Sequence, residues 1–192
     1  LNDIGAYAFS GCPSLKEITI PKNVLVLKEE VFFGNALEKV ILTEGLQQIQ
    51  SRAFFGCSFT SISVPNTVTN IDGTAFSSCT KLKEINLNQN KNFVYENGML
   101  MPNNKESVLF VSSVQLSNTD TLTIPDGVKE FTTSIAGIKN ITKIKIPTSL
   151  EKMGGAGSFP TTISNITVDS GNQTFTSENG ILYNKNTKGL IM

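Results

Sequence analysis

A short strand motif recurs through this chain and limits the folds open to it. It reads Leu82-Lys83-Glu84-Ile85-Asn86-Leu87 in one copy and Leu15-Lys16-Glu17-Ile18-Thr19-Ile20 in another. Further copies stand at 37–42, 59–64, 121–124, 141–146 and 163–168, and Pro21, Pro65, Pro125 and Pro147 directly follow four of the seven. The central aliphatics are Ile18, Val40, Ile62, Ile85, Leu122, Ile144 and Ile166, with gaps of 22, 22, 23, 37, 22 and 22 residues. A fixed period of this size predicts a solenoid, in which each repeat supplies one coil. The gap of 37 is one period plus about fifteen inserted residues.

Each repeat carries the same internal grammar. Proline stops the strand because it has no N–H to give to a ladder. A second apolar pair follows, seen as Val24/Leu27, Leu46/Ile49, Val68/Ile71, Val128/Phe131 and Leu150/Met153. Next comes a small or branched residue and Phe, at Ala8-Phe9, Val31-Phe32, Ala53-Phe54 and Ala75-Phe76. The Phe spacing of 23, 22 and 22 predicts rings stacked coil over coil in a buried spine. One repeat cannot fold alone. Burying about six apolar side chains yields roughly 1.5–3 kcal/mol each, against about 1–2 kcal/mol of backbone entropy for every residue ordered. Stacked neighbours supply the missing burial. The spine fades later, where Ile135-Ala136 and the glycine-rich stretch 154–159 replace Ala-Phe, and irregular packing is expected near Gly154 to Gly157.

A second element interrupts the solenoid. Phe93-Val94-Tyr95-Glu96-Asn97-Gly98-Met99-Leu100-Met101 matches residues 175–183, 82 positions on, around Glu178-Asn179-Gly180. Asn-Gly between apolar runs signals a hairpin, since both residues accept positive φ. With a further turn at Pro102 to Lys105 and a return strand over 107–111, residues 93–111 are expected to form an antiparallel meander, docked between coils or projecting from them. We expect a single leucine-rich-repeat domain over 1–192, mainly β with little helix, in about seven coils, with insertions at 88–116 and 170–192. The chain opens and closes inside a repeat, so it is expected to be a piece of a longer protein. The absence of a leader-like segment is given no weight.

Composition narrows the chemistry. Net charge is zero, which gives no basic footprint for nucleic acid. No apolar run is long enough to span a bilayer. Histidine is absent, excluding His-based nucleophilic triads and imidazole zinc sites. No cofactor or metal is expected. Cys12, Cys57 and Cys79 each fall three residues after a spine Phe, and Asn35 takes the same slot in the second repeat. This reads as an inward structural slot rather than a nucleophile, because no activating charge is nearby in sequence. Adjacent coils would also allow a Cys57–Cys79 bridge, but a free pair is favoured. Glu29-Glu30 and Asp169 have no spacing that pairs carboxylates for acid–base work. Asn140-Ile-Thr142, Asn165-Ile-Thr167 and Asn172-Gln-Thr174 fit the glycosylation pattern, and the first two overlap ladder strands.

The exposed side of the ladder is the remaining candidate. With the central and last aliphatics turned inward, period-two alternation sends the other residues out. One column reads Glu17, Lys39, Ser61, Glu84, Lys143, Asn165; the other reads Thr19, Ile41, Ser63, Asn86, Lys145, Thr167. In horseshoe solenoids this concave sheet is the usual binding surface. The same mixture of charges also serves a face kept polar for solubility. Neither column holds an aromatic, which counts against glycan binding.

The pattern Ile-Pro-x-x-Val-x-x-Ile-x-x-x-Ala-Phe-x-x-Cys-x-x-Leu-x-x-Ile-x-Ile-Pro resembles the BspA-like, or treponemal-type, leucine-rich repeats of bacterial surface proteins. Residues 65–87 match it almost position for position, and 21–64 match with substitutions. The resemblance implies a secreted or surface-exposed bacterial protein, non-enzymatic, engaged in adhesion to a host matrix or cell-surface protein. It supplies no catalytic residue. A passive stalk presenting another domain is the alternative.

Overall fold

The computed structural model describes residues 1–191; Met192, the end of the second expected insertion, lies outside the described residues. In chain order the strands are β1 (Glu17–Thr19), β2 (Val26–Leu27), β3 (Lys39–Ile41), β4 (Gln48–Ile49), β5 (Ser61–Ser63), β6 (Asn70–Ile71) and β7 (Glu84–Asn86). Then come β8 (Phe93–Glu96), β9 (Met99–Pro102), β10 (Phe110–Val111), β11 (Thr121–Thr123), β12 (Glu130–Phe131) and β13 (Lys143–Ile146). The last are β14 (Lys152–Met153), β15 (Asn165–Val168), β16 (Phe175–Glu178) and β17 (Ile181–Asn184). Among the described residues the only helix is a 3-10 turn, Ala156–Ser158. The solenoid is therefore β throughout, in about seven coils.

Five of the coils give two short parallel strands each, while those of β7 and β15 give the first and then run into the insertions. The Leu-x-x-Ile motif forms the first ladder, as β1 with β3, β5 with β7, and β11 with β13 and β15. The Val/Ile pair forms the second, as β2–β4–β6 and β12–β14. Register is one period per rung: Ile18 faces Val40, Ile62 faces Ile85, and Leu122, Ile144 and Ile166 align. The first ladder also opens between β3 and β5, which belong to separate sheets. The sequence pattern gave no warning of that break.

The spine forms as expected. Phe9, Phe32, Phe54 and Phe76 stack at 5.5, 5.6 and 5.6 Å with nearly parallel planes. Phe59 meets Phe54 edge-on. After Phe76 the order changes, and Phe110 meets it edge-on at 6.0 Å. In the glycine-rich repeat the irregularity takes the form of the 3-10 turn, and Phe159 turns in to stack on Phe131 at 6.1 Å.

The meander lies between the coils and does not project. Strand alternation gives it two apolar faces. Phe93, Leu100 and Phe110 enter the core built from Ile4 to Ile85, while Met99, Met101, Val108 and Val111 enter the core that runs on to Leu182. Its return strand is shorter than the sequence suggested. Only Phe110–Val111 pairs antiparallel, with Leu100 and Met99, whereas Ser107 bridges in parallel to Glu130 and so joins the second ladder. The insertion also closes the edge of the coil before it. Ser112 donates to the Leu82 carbonyl at 2.7 Å, and the Tyr95 hydroxyl and Gln115 amide donate to that of Lys83. Residues 175–184 form a two-stranded hairpin that repeats the first turn of the meander.

Candidate functional site

The twelve ladder-face residues stand where alternation puts them. Glu17, Thr19, Lys39, Ile41, Ser61, Ser63, Glu84, Asn86, Lys143, Lys145, Asn165 and Thr167 are all exposed. The register brings Glu17 beside Lys39, Thr19 beside Ile41, Ser61 beside Glu84 and Ser63 beside Asn86. In the second half Lys143 aligns with Asn165 and Lys145 with Thr167. The register also adds Thr121 and Thr123, opposite Lys143 and Lys145. The sequence reading left these out of the columns, although the four-residue copy Thr121-Leu122-Thr123-Ile124 carries the same alternation. The columns are not continuous: they break between β3 and β5 and again at the meander.

Part of the charge on this face is compensated within the chain. Lys39 approaches Glu17 at 3.6 Å, and Lys143 meets Asp120 at 2.8 Å. The Lys143 hydrogen bond holds the Asp120 carboxyl below the usual range, helped by Thr121. Similar rung-to-rung pairs run Lys16–Glu38, Glu30–Arg52 and Glu130–Lys152. At such exposure solvent screens these pairs and each adds little to stability. The distinctive spot is Ile41, a large aliphatic left 45% exposed. Shallow grooves flank it on both sides, one against Glu17, Thr19 and Lys39, the other against Ser61 and Ser63 at the open rung.

The cysteine slot is structural. Cys57 and Cys79 are buried free thiols whose sulfurs reach back to the carbonyls of Phe32 and Phe54 in the preceding coils. Burial pushes both thiols up, Cys79 to about 12, so neither is a nucleophile near neutral pH. Asn35 does the same job more strongly, donating to the Phe9 carbonyl at 2.8 Å and accepting from the Cys12 amide at 2.7 Å. Cys12 departs from the inward slot and is exposed.

Sequence reasoning missed two buried asparagines. Asn90 and Asn172, 82 residues apart, each donate both amide hydrogens to carbonyls of the coil below: Pro65 and Val68 for one, Pro147 and Leu150 for the other. The Asn90 side-chain oxygen then accepts the Asn92 N–H, and that of Asn172 accepts the N–H groups of Thr174 and Phe175. The signal was present, as Asn-x-x-Phe before both insertions. Asn172 is therefore committed to the fold, and its glycosylation match is incidental.

Among the described residues no cluster of three or more acidic, Cys or His side chains is placed to hold a metal ion. Among the same residues no helix is long and apolar enough to cross a membrane.

Comparison with known proteins agrees with this architecture. The family model described as the BspA type leucine-rich repeat region matches in six copies, over residues 2–116 and 112–187. A leucine-rich cell surface protein from Faecalibacterium prausnitzii has a similar structure, with a TM-score of 0.72 at 26% identity, covering 83% of this chain and 43% of its own. A leucine-rich repeat protein from Eubacterium ventriosum gives a TM-score of 0.64 at 19% identity, covering 86% and 57%. This chain thus spans less than two thirds of either relative. No curated protein matches significantly. Repeat period, two-ladder register and family match agree: the chain belongs to the BspA-type leucine-rich-repeat family.

Proposed function

We propose that this chain is a non-enzymatic protein-interaction module of a secreted or surface-exposed bacterial protein, working in adhesion to a host matrix or cell-surface protein. The observation that carries the reading is the ladder face. It presents a repeated array of exposed polar side chains at one-period spacing, with Ile41 as an apolar contact between two grooves. Repeat surfaces of this kind gain affinity from several coils together rather than from one deep pocket. The similarity to a leucine-rich cell surface protein supports the location.

The test is capture of matrix proteins and cell-surface extracts on immobilised protein, followed by titration of whatever is retained. Lys39→Glu with Lys143→Glu is expected to weaken binding about tenfold or more, and Ile41→Asp to do likewise. Unchanged affinity in both variants would move the site off this face. A second reading is a passive stalk that spaces another domain from the surface. The pairing of Glu17 with Lys39 and of Asp120 with Lys143 favours it, since those charges already have partners. Failure to retain any protein, with the fold intact, would favour the stalk.

A further inference from the structure

Rungs of the first ladder begin alike, with one exception. Two successive N–H groups fork onto one carbonyl of the preceding coil: Glu38 and Lys39 onto Lys16, Lys83 and Glu84 onto Thr60, Thr142 and Lys143 onto Asp120, Ser164 and Asn165 onto Thr142. Between β3 and β5 that fork would fall on the Glu38 carbonyl. A single bond forms earlier instead, from the Ser58 N–H to the Leu37 carbonyl at 2.8 Å. The bonds that close three other rungs, Ile20 N–H to Ile41, Val64 N–H to Asn86 and Ile124 N–H to Lys145, have no counterpart from Leu42 to Ser63. Among the described residues no backbone hydrogen bond joins 38–43 to 59–65. Beyond the gap the coils meet again, where the Gly45 N–H donates to Thr67 Oγ1 at 3.0 Å and the Asn66 N–H to Glu44 at 3.2 Å. Behind it the second ladder runs unbroken as β2–β4–β6, and Phe32 and Phe54 stay stacked. The opening is therefore a slot in one wall, about 220 Å³, lined by residues 38–42 and 61–63.

A sequence departure coincides with it. The position leading the six full copies of the strand motif holds Leu15, Leu37, Phe59, Leu82, Ile141 and Ile163. Phe59 alone is a ring there. It is buried two residues before Ser61, with its edge against Phe54 at 5.6 Å. A close-packed interior has no slack for the added volume. We infer that Phe59 is a wedge that sets β5 off from β3, and that this rung is a joint with two positions. One is open, as described; the other is zipped by the four bonds that parallel register supplies: Ser61 N–H to Glu38, Val40 N–H to Ser61, Ser63 N–H to Val40 and Leu42 N–H to Ser63. In the open position those donors and acceptors meet solvent through the slot. The bonds gained on zipping are offset by crowding of the ring, which leaves this rung movable between fixed neighbours. Lys39 and Ile41 stand on one lip, Ser61 and Ser63 on the other. Movement therefore changes the spacing of the ladder-face columns beside the exposed Ile41, and a partner lying across both lips would hold them at one spacing. The joint stands whether or not that face binds.

The test is native-state hydrogen exchange of the full chain, read amide by amide by NMR. Val40, Leu42, Ser61 and Ser63 are compared with Ile62, Val64, Glu84 and Asn86, which hold the same places one rung on. Protection of the first set is expected to be lower by about a hundredfold or more. Phe59→Leu, which supplies the residue found here in the coils on either side, is expected to bring the two sets within about tenfold. Phe59→Met takes its place if that variant fails to fold. Equal protection of the two sets in the wild-type chain would overturn the joint. Unchanged low protection in a folded variant would overturn the role of Phe59 as its wedge.

Discussion

The meander at 93–111 and the hairpin at 175–184 start from nearly the same text and end in different surroundings. Both follow a buried asparagine that pins the chain to the coil below. Both turn at Asn-Gly with two positive φ angles, 50° and 76° in one, 52° and 81° in the other. Both turn one apolar row, Phe93 and Leu100 or Phe175 and Leu182, onto the preceding coils. Their other faces diverge. Met99 and Met101 are buried against the second core, whereas the equivalent Ile181 is 40% exposed and Tyr183 half-buried. A shared local text therefore specifies the turn and one face, and the neighbour decides what becomes of the other.

That contrast can be tested most sharply on the diverging faces. Met101→Ala should cost about 2–5 kcal/mol, as buried methionines do, while Ile181→Ala should stay within about 0.5 kcal/mol. Denaturant midpoints of the two variants measure the gap. Comparable losses would show that the outer face of the hairpin is also part of a core.

The shared features should respond alike. Asn90→Ala and Asn172→Ala each orphan two buried carbonyls, at a cost of about 2–4 kcal/mol. A small effect at one site only would show that the two plugs are not equivalent. Somewhat weaker effects are expected at the turns. Gly98→Ala and Gly180→Ala combine positive φ with an added methyl about 2.7 Å from Gln115 or 3.0 Å from the Ser164 carbonyl. Each should lose about 1–3 kcal/mol of stability, read from thermal melts.

The smallest effect concerns the exposed pair between those elements, Asp120 and Lys143. The Asp120 pKa is depressed in the folded chain, so its stabilising contribution is complete above the unfolded carboxylate value of about 3.9. That contribution is lost as pH falls through the lower folded value. Full exposure keeps it small. An NMR titration of the carboxyl in Lys143→Met should return it toward the ordinary range.

Most of the fold was legible in the sequence because it repeats. Seven strands at one period define coils, and four Phe at the same period define the spine. The ladder-face residues followed from alternation alone, apart from Thr121 and Thr123, whose copy is shortened to four residues. Other features depend on contacts between distant segments. The open rung between β3 and β5 has no marker in a pattern of aliphatics, since Val40 and Ile62 both point inward as the motif requires. The second face of the meander was recognisably apolar at Met99 and Met101, yet only the coil across from it could show that it is buried. The return segment was misread because Ser107 to Val111 alternates plausibly as one strand, while its first residue belongs to a different ladder.

The meander has a consequence for how the molecule comes apart. In a linear array each coil feels only its neighbours, so stability passes along the chain link by link. Here two cores share one thin sheet, with Leu100 on one side and Met101 on the other. That sheet is the joint through which unfolding in one half is felt by the other. A chain weakened there is expected to unfold in two steps, each half with its own midpoint.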